Sequence, residues 1–153
     1  MSATVLDGVD EVRAAIGRHL GHSDWVVVDQ RRVDGFAQAT GDRQWIHVDA
    51  DRSRAESPFG GPVAHGLLVL ALTNLFLPQI VEVRGFAMGV NYGLERVRLP
   101  APVPVGSSVR GGAELVAVDD VAGGIQTTMT VMVEVDGGSE PACVAQALSR
   151  YLF

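Results

Sequence analysis

One cysteine, Cys143, and no lysine stand among the 153 residues, so all twelve cations are arginines. A single thiol excludes an internal disulfide and any zinc or iron–sulfur site built from several cysteines. The missing lysine excludes Schiff-base chemistry, pyridoxal phosphate attachment and a phosphate-loop lysine. The arginines are scattered and the net charge is −6, which leaves no electrostatic footprint for a nucleic-acid backbone or an anionic membrane. No serine sits in a G-x-S-x-G elbow and no glycine-rich dinucleotide fingerprint follows a strand, which argues against a serine hydrolase and a dehydrogenase. Asp49-Ala-Asp-Arg-Ser53 has a passing calcium-loop look, but Arg54 and Gly60 stand where glycine and glutamate are required. No metal is expected. The first sixteen residues carry acids where a signal peptide needs a basic start and an apolar run, so a cytoplasmic protein is expected.

What is present is core. A hydrophobic share of 47% excludes a disordered chain, and the length suits one domain over residues 1–153. Val12, Ala15, Ile16 and Leu20 recur at helical spacing over 10–20, and Asp24 to Asp29 reads as a short strand. A second helix starts at the Asp29 cap, carries Val33, Phe36, Ala37 and Thr40 on one face, and stops at Gly41. Residues 42–62, rich in Asp, Arg, Ser, Gly and Pro, read as an irregular segment with a turn of helix near Ala50–Ala55. From His65 to Val81 the chain is apolar on nearly every face, which predicts a helix buried all round. At ~1.5 Å per residue it reaches roughly 24 Å, short of a ~30 Å hydrocarbon core, and Asn74 and Pro78 interrupt it, so no membrane span is expected. The period then changes to two, with strands expected at 86–98, 108–118, 124–135 and 142–152. Cys143 lies in the last of these, where it reads as a small buried hydrophobe ahead of a nucleophile. A long apolar helix followed by consecutive hairpins predicts an α+β fold, an antiparallel sheet curled around the helix.

Two places could carry chemistry. Asp42 and His47 follow a helix stop and are five residues apart, so an acid and an imidazole can turn toward one water and pass a proton. On spacing alone, Asp42 can equally cap a turn and His47 be a surface residue. Gly60-Gly-Pro-Val-Ala-His-Gly66 leads into the apolar helix, where free amides and the helix dipole could stabilise an oxyanion against the Gly66 N–H. The same glycines could serve only a tight turn. His65 reads as a structural histidine ahead of a second base.

Phe36-Ala-Gln-Ala-Thr-Gly-Asp-Arg-Gln-Trp-Ile-His47, Gly61-Pro-Val-Ala-His-Gly66, Asn91-Tyr-Gly-Leu-Glu-Arg-Val-Arg98 and Pro102-Val-Pro-Val-Gly106 together resemble the MaoC-like, (R)-specific enoyl-CoA hydratase family, in its branch similar to nodulation protein N. The resemblance implies a hot-dog fold, homodimerisation edge to edge, and reversible syn addition of water to trans-2-enoyl-CoA without a cofactor beyond the substrate's own coenzyme A or acyl carrier. By position, Asp42 and His47 match the acid/base pair and Gly66 the amide that holds the thioester oxygen. Ala64, His65, Asn74 and Trp45 join them as substrate-binding candidates. Asn74 falls where many relatives have serine, and as a buried polar residue it is expected to hydrogen-bond, with the active-site loop as one partner. Gln44-Trp45 departs from the usual Asn-Pro; Trp45 either closes a pocket wall or packs beneath the loop. Arg43, Arg52, Arg54, Arg96 and Arg98 are candidates for the coenzyme A phosphates. A hot-dog thioesterase and a non-catalytic acyl-binding subunit are the alternatives the fold allows.

Overall fold

Alternation builds the sheet as the sequence predicts: Ile125, Thr127, Met129, Val131 and Val133 are all buried on one face of one strand. The computed structural model describes residues 2–153. In chain order the elements are β1 (Thr4–Asp7), α1 (Gly8–Ala14), β2 (His19–His22), β3 (Val26–Val27), α2 (Gln30–Thr40), α3 (Trp45–Val48), α4 (Ala50–Glu56), α5 (Gly66–Ala71), α6 (Thr73–Ile80), β4 (Val81–Arg84), β5 (Met88–Arg98), β6 (Ser108–Val121), β7 (Gly124–Val135) and β8 (Cys143–Leu152). The main sheet runs β2-β6-β7-β8-β5, antiparallel throughout, with β3 also on β6. A bulge between Leu115 and Ala117 reverses the phase of β6, so Val109, Ala113, Leu115 and Val118 all reach the core.

The helix α5–α6 lies in the concave face of this sheet. Phe76, wholly buried, meets Gly111 of β6 so closely that a Cβ there would stand 2.7 Å from the Phe76 Cβ. The sheet therefore wraps the helix, the hot-dog arrangement.

Five points differ from expectation. The first helix ends at Ala14, because Gly17 turns to φ 83° and gives its N–H to the Leu115 carbonyl, steering the chain into β2. The strand expected over 24–29 shrinks to Val26–Val27. A parallel pair, β1 with β4, was not legible as strands. The apolar helix is divided at Leu72, where the Thr73 hydroxyl bonds the Leu70 carbonyl and the Leu75 amide reaches back only three residues. Nor is it buried all round: Leu67 is 64% and Leu75 41% exposed, since the sheet of one chain covers only one side of it.

No helix among the described residues is long and apolar enough to cross a membrane. Cys143 is fully buried, and burial pushes its thiol up from its ordinary value, in keeping with its reading as a core residue.

Candidate active site

The site begins where α2 stops. The Asp29 carboxylate caps the helix by accepting from the Arg32 amide at 2.8 Å, and Gly41 ends it in the left-handed region at φ 82°, as the sequence predicts. The chain then leaves the helix axis through Asp42 and re-enters a single turn, α3, which carries His47 inward to 7% exposure. Several bonds hold that turn. Gln30 Nε2 donates to the His47 carbonyl at 2.8 Å, the Ser53 hydroxyl to the Trp45 carbonyl at 3.1 Å, and the Val63 amide to the Ile46 carbonyl at 3.0 Å.

The lead-in to α5 is pinned from the other side by the proline-rich loop. The Ala64 amide donates to the Val103 carbonyl at 2.8 Å, and the Val105 amide to the Pro62 carbonyl at 2.9 Å. The Ala64 N–H is thus spent on the Val103 carbonyl.

Carbonyls fix both imidazoles. His47 Nδ1 lies 2.6 Å from the Val63 carbonyl, which can only accept, so Nδ1 donates and Nε2 is the nitrogen left for another partner. His65, 2% exposed, donates from Nε2 to the Asp42 carbonyl at 2.9 Å, leaving Nδ1 a buried acceptor with no partner. Its ring stacks on His47 at 3.9 Å and tilts against Phe36 at 4.8 Å. His65 is therefore the post between the Asp42 backbone and the His47 ring. The Asp42 side chain is exposed and accepts only a long bond, 3.4 Å, from the Gln44 amide. Donor atoms of Asp42, His47 and His65 all lie within 4.8 Å of one another, close enough to share one water or one cation.

Gly66 opens α5, and no side chain caps that terminus. The first-turn amides of a helix have no partner inside it. At Gly66 a Cβ would press to 2.5 Å on a Leu99 methyl, so the bare backbone is what lets Leu99 pack against the helix start.

Asn74 is not where the sequence puts it. It is exposed in the single chain, and its Oδ1 accepts from Asn91 Nδ2 of β5 at 3.1 Å, with no bond to the active-site loop. The turn of helix that carries it faces the open side of α6, which explains both facts. Trp45 lies under the Arg52 guanidinium, 4.2 Å from its centre, and packs with α4; it lines none of the cavities described below. Arg52 and Arg54 are taken by Glu56 and Asp51, whereas Arg43, Arg96 and Arg98 have no carboxylate partner among the described residues.

Two cavities run between the helix and β5–β8. One, about 370 Å³, starts at Leu67 beside Gly66; the next, about 450 Å³, continues toward Pro78 and Tyr151. Neither is lined by Asp42 or His47, which stand at the Gly66 end. The features that sequence reasoning missed are the Val63 carbonyl that sets the His47 tautomer, the Phe36 ring and Asn91. Backbone carbonyls leave no residue-type signal, and Asn91 becomes visible only through its partner on the helix.

A sheet wrapped on a helix defines a hot-dog protein, and this one places an acid and an imidazole beside the helix's amide end. The comparisons agree. Residues 11–137 match the MaoC like domain, and the chain belongs to the MaoC-like dehydratase family, whose reaction class is that of a hydro-lyase. It is 48% identical over 147 residues to 3-hydroxyacyl-thioester dehydratase Z of Mycobacterium tuberculosis, covering 95% of this chain and 97% of that one. It is 44% identical over 145 residues to nodulation protein N of Rhizobium leguminosarum bv. viciae, covering 94% and 90%. The unliganded R-hydratase PhaJ1 of Pseudomonas aeruginosa shares the fold at a TM-score of 0.72 and 20% identity, covering 90% of this chain and 81% of that one.

Proposed function

We propose that the protein adds water reversibly across trans-2-enoyl thioesters to give (R)-3-hydroxyacyl thioesters, with Asp42 and His47 as its acid/base pair. The observation that carries the reading is the contact of His47 Nδ1 with the Val63 carbonyl at 2.6 Å: it commits Nδ1 as a donor and leaves Nε2 to meet the water as a base. The Asp42 carboxylate accepts the second hydrogen and orients the water. The Gly66 amide binds the thioester oxygen and takes up charge as the enolate forms, which makes C3 electrophilic. The water oxygen bonds to C3 while one of its protons passes to Nε2; that proton is then returned to C2 from the same side, so addition is syn and the base is regenerated. A thioesterase needs neither this pair nor its placement.

The acyl chain would run from Gly66 along the cavity that starts at Leu67. β5 pairs only with β8, so its outer edge is open along eleven residues, and Leu67, Tyr92 and Leu94 are 64%, 55% and 49% exposed beside it. An open edge of this length calls for a partner, and a second copy joined through β5 would roof the acyl groove. A cytoplasmic setting suits the lone, buried thiol.

The cluster of Asp42, His47 and His65 could also be read as a metal site, and one experiment separates the two. Hydration of crotonyl-CoA proceeds undiminished after exhaustive dialysis against EDTA, and elemental analysis finds no stoichiometric metal. Loss of activity restored by a divalent cation overturns the water-only reading.

A further inference from the structure

The two cavities along the helix differ in character. The nearer one is walled by Leu67, Leu70, Ala71, Leu77 and Leu94. The farther one adds Ser149 and Tyr151 to Asn74 and Asn91, which stand at the junction and line both. These polar groups are not scattered. Asn91 pairs with Ser149 across β5 and β8, and Ser149 with Thr127 across β8 and β7, and directly paired residues point to the same face of a sheet. A polar row therefore crosses the inner face of the sheet, where Ile125, Met129 and Ala147 otherwise make it apolar.

Thr127 is fully buried and its hydroxyl has no hydrogen-bond partner, which is uncommon in a folded interior. Above the row, the Asn74–Asn91 bond uses one amide donor and one carbonyl acceptor. Whichever way the two amides are turned, one carbonyl and one NH₂ remain for another group, the pairing a hydroxyl can satisfy from both sides. Burial holds the Tyr151 phenol above its ordinary value, so it stays a neutral O–H. A plain hydrocarbon tail would strip water from Asn74, Asn91, Ser149 and Tyr151, which line the cavity, and give nothing back.

Resting on the hydratase reading, we propose that the distal cavity selects acyl thioesters whose chain carries an oxygen function, a hydroxyl or a ketone, near its far end. Position follows from the helix. Asn74 is eight residues beyond Gly66, about 12 Å at ~1.5 Å per residue, and an extended alkyl chain built of ~1.5 Å bonds covers that in roughly nine or ten carbons.

The test compares decanoyl-CoA with 10-hydroxydecanoyl-CoA by calorimetric titration, and the matching trans-2-enoyl thioesters by kcat/KM. The hydroxylated thioester binds about ten-fold tighter to the native protein, the worth of one satisfied hydrogen bond. In Asn74→Leu and Asn91→Leu the ratio falls to about one; Ser149→Ala, a gentler change, lowers it if a leucine variant does not fold. Equal binding of the two thioesters to the native protein, or an unchanged ratio in every folded variant, overturns the proposal. The two readings fail separately: a retained binding preference with no turnover of any enoyl thioester overturns the hydratase reading alone, and turnover without a preference overturns the tail selection alone.

Discussion

Asp42→Asn and His47→Gln each lower kcat/KM for crotonyl-CoA hydration by at least about 10²-fold, the low end for removing a general acid–base group. Both folds survive. The Asp42 side chain is exposed and its one bond is a long contact to the Gln44 amide, so the amide isostere removes charge and little else. At position 47 a glutamine amide can still donate to the Val63 carbonyl that His47 Nδ1 now occupies, while the basic nitrogen facing the water is gone. On the proposed mechanism the two side chains act on one water, so the double variant loses little more than the worse single one. Thermal melts confirm that the loss is chemical. Native-like activity in either variant, measured against enoyl absorbance, removes the mechanism.

Phe76→Ala costs about 3–5 kcal/mol, the range for deleting a buried aromatic ring, and lowers Tm by roughly 6–20 °C for a domain of this size. Phe76 has no exposed surface and is the largest of the fully buried side chains. Its ring sits directly on the Gly111 backbone, 2.8 Å from where a Cβ would be, so helix and sheet meet there without any side chain between them. Truncation leaves a void on the helix side that β6, held by β2 and β7, cannot collapse into. The reverse change, Gly111→Ala, overfills the same contact and costs about 1–3 kcal/mol, because the atom in the way is the Phe76 Cβ, tied to its helix. Urea denaturation measures both. A loss under about 1 kcal/mol for Phe76→Ala would show that the site relaxes, against the packing described.

The sheet and the ends of α2 were legible because local chemistry decides them. Ile125 to Val133 alternate, Asp29 caps, and Gly41 stops the helix in a conformation other residues resist. Elements set by distant partners were not. β1 exists because Thr4 to Asp7 pair with Val81 to Arg84, and β2 begins where Gly17 bonds Leu115; neither segment alternates strongly enough to announce itself. The helix over 65–81 was legible as apolar, but apolarity does not say who buries each face. Hence the expectation of full burial failed at Leu67 and Leu75, and with it the expected place of Asn74.

The site was legible as residue types and not as bonding. The spacing of Asp42 and His47 and the glycine ahead of the apolar helix are visible in the chain. That Ala64 spends its amide on Val103, and that His65 joins Asp42 to His47, depends on carbonyls and ring contacts that the sequence does not display.

The most direct measurement is hydration of crotonyl-CoA in D₂O followed by proton NMR of the product. One water shared by Asp42 and His47 on a single face of the substrate predicts (R)-3-hydroxybutyryl-CoA with one deuterium at C2, syn to the new hydroxyl, and no free thiol. Anti placement of that deuterium, or release of coenzyme A with the enoyl signal intact, would contradict the account.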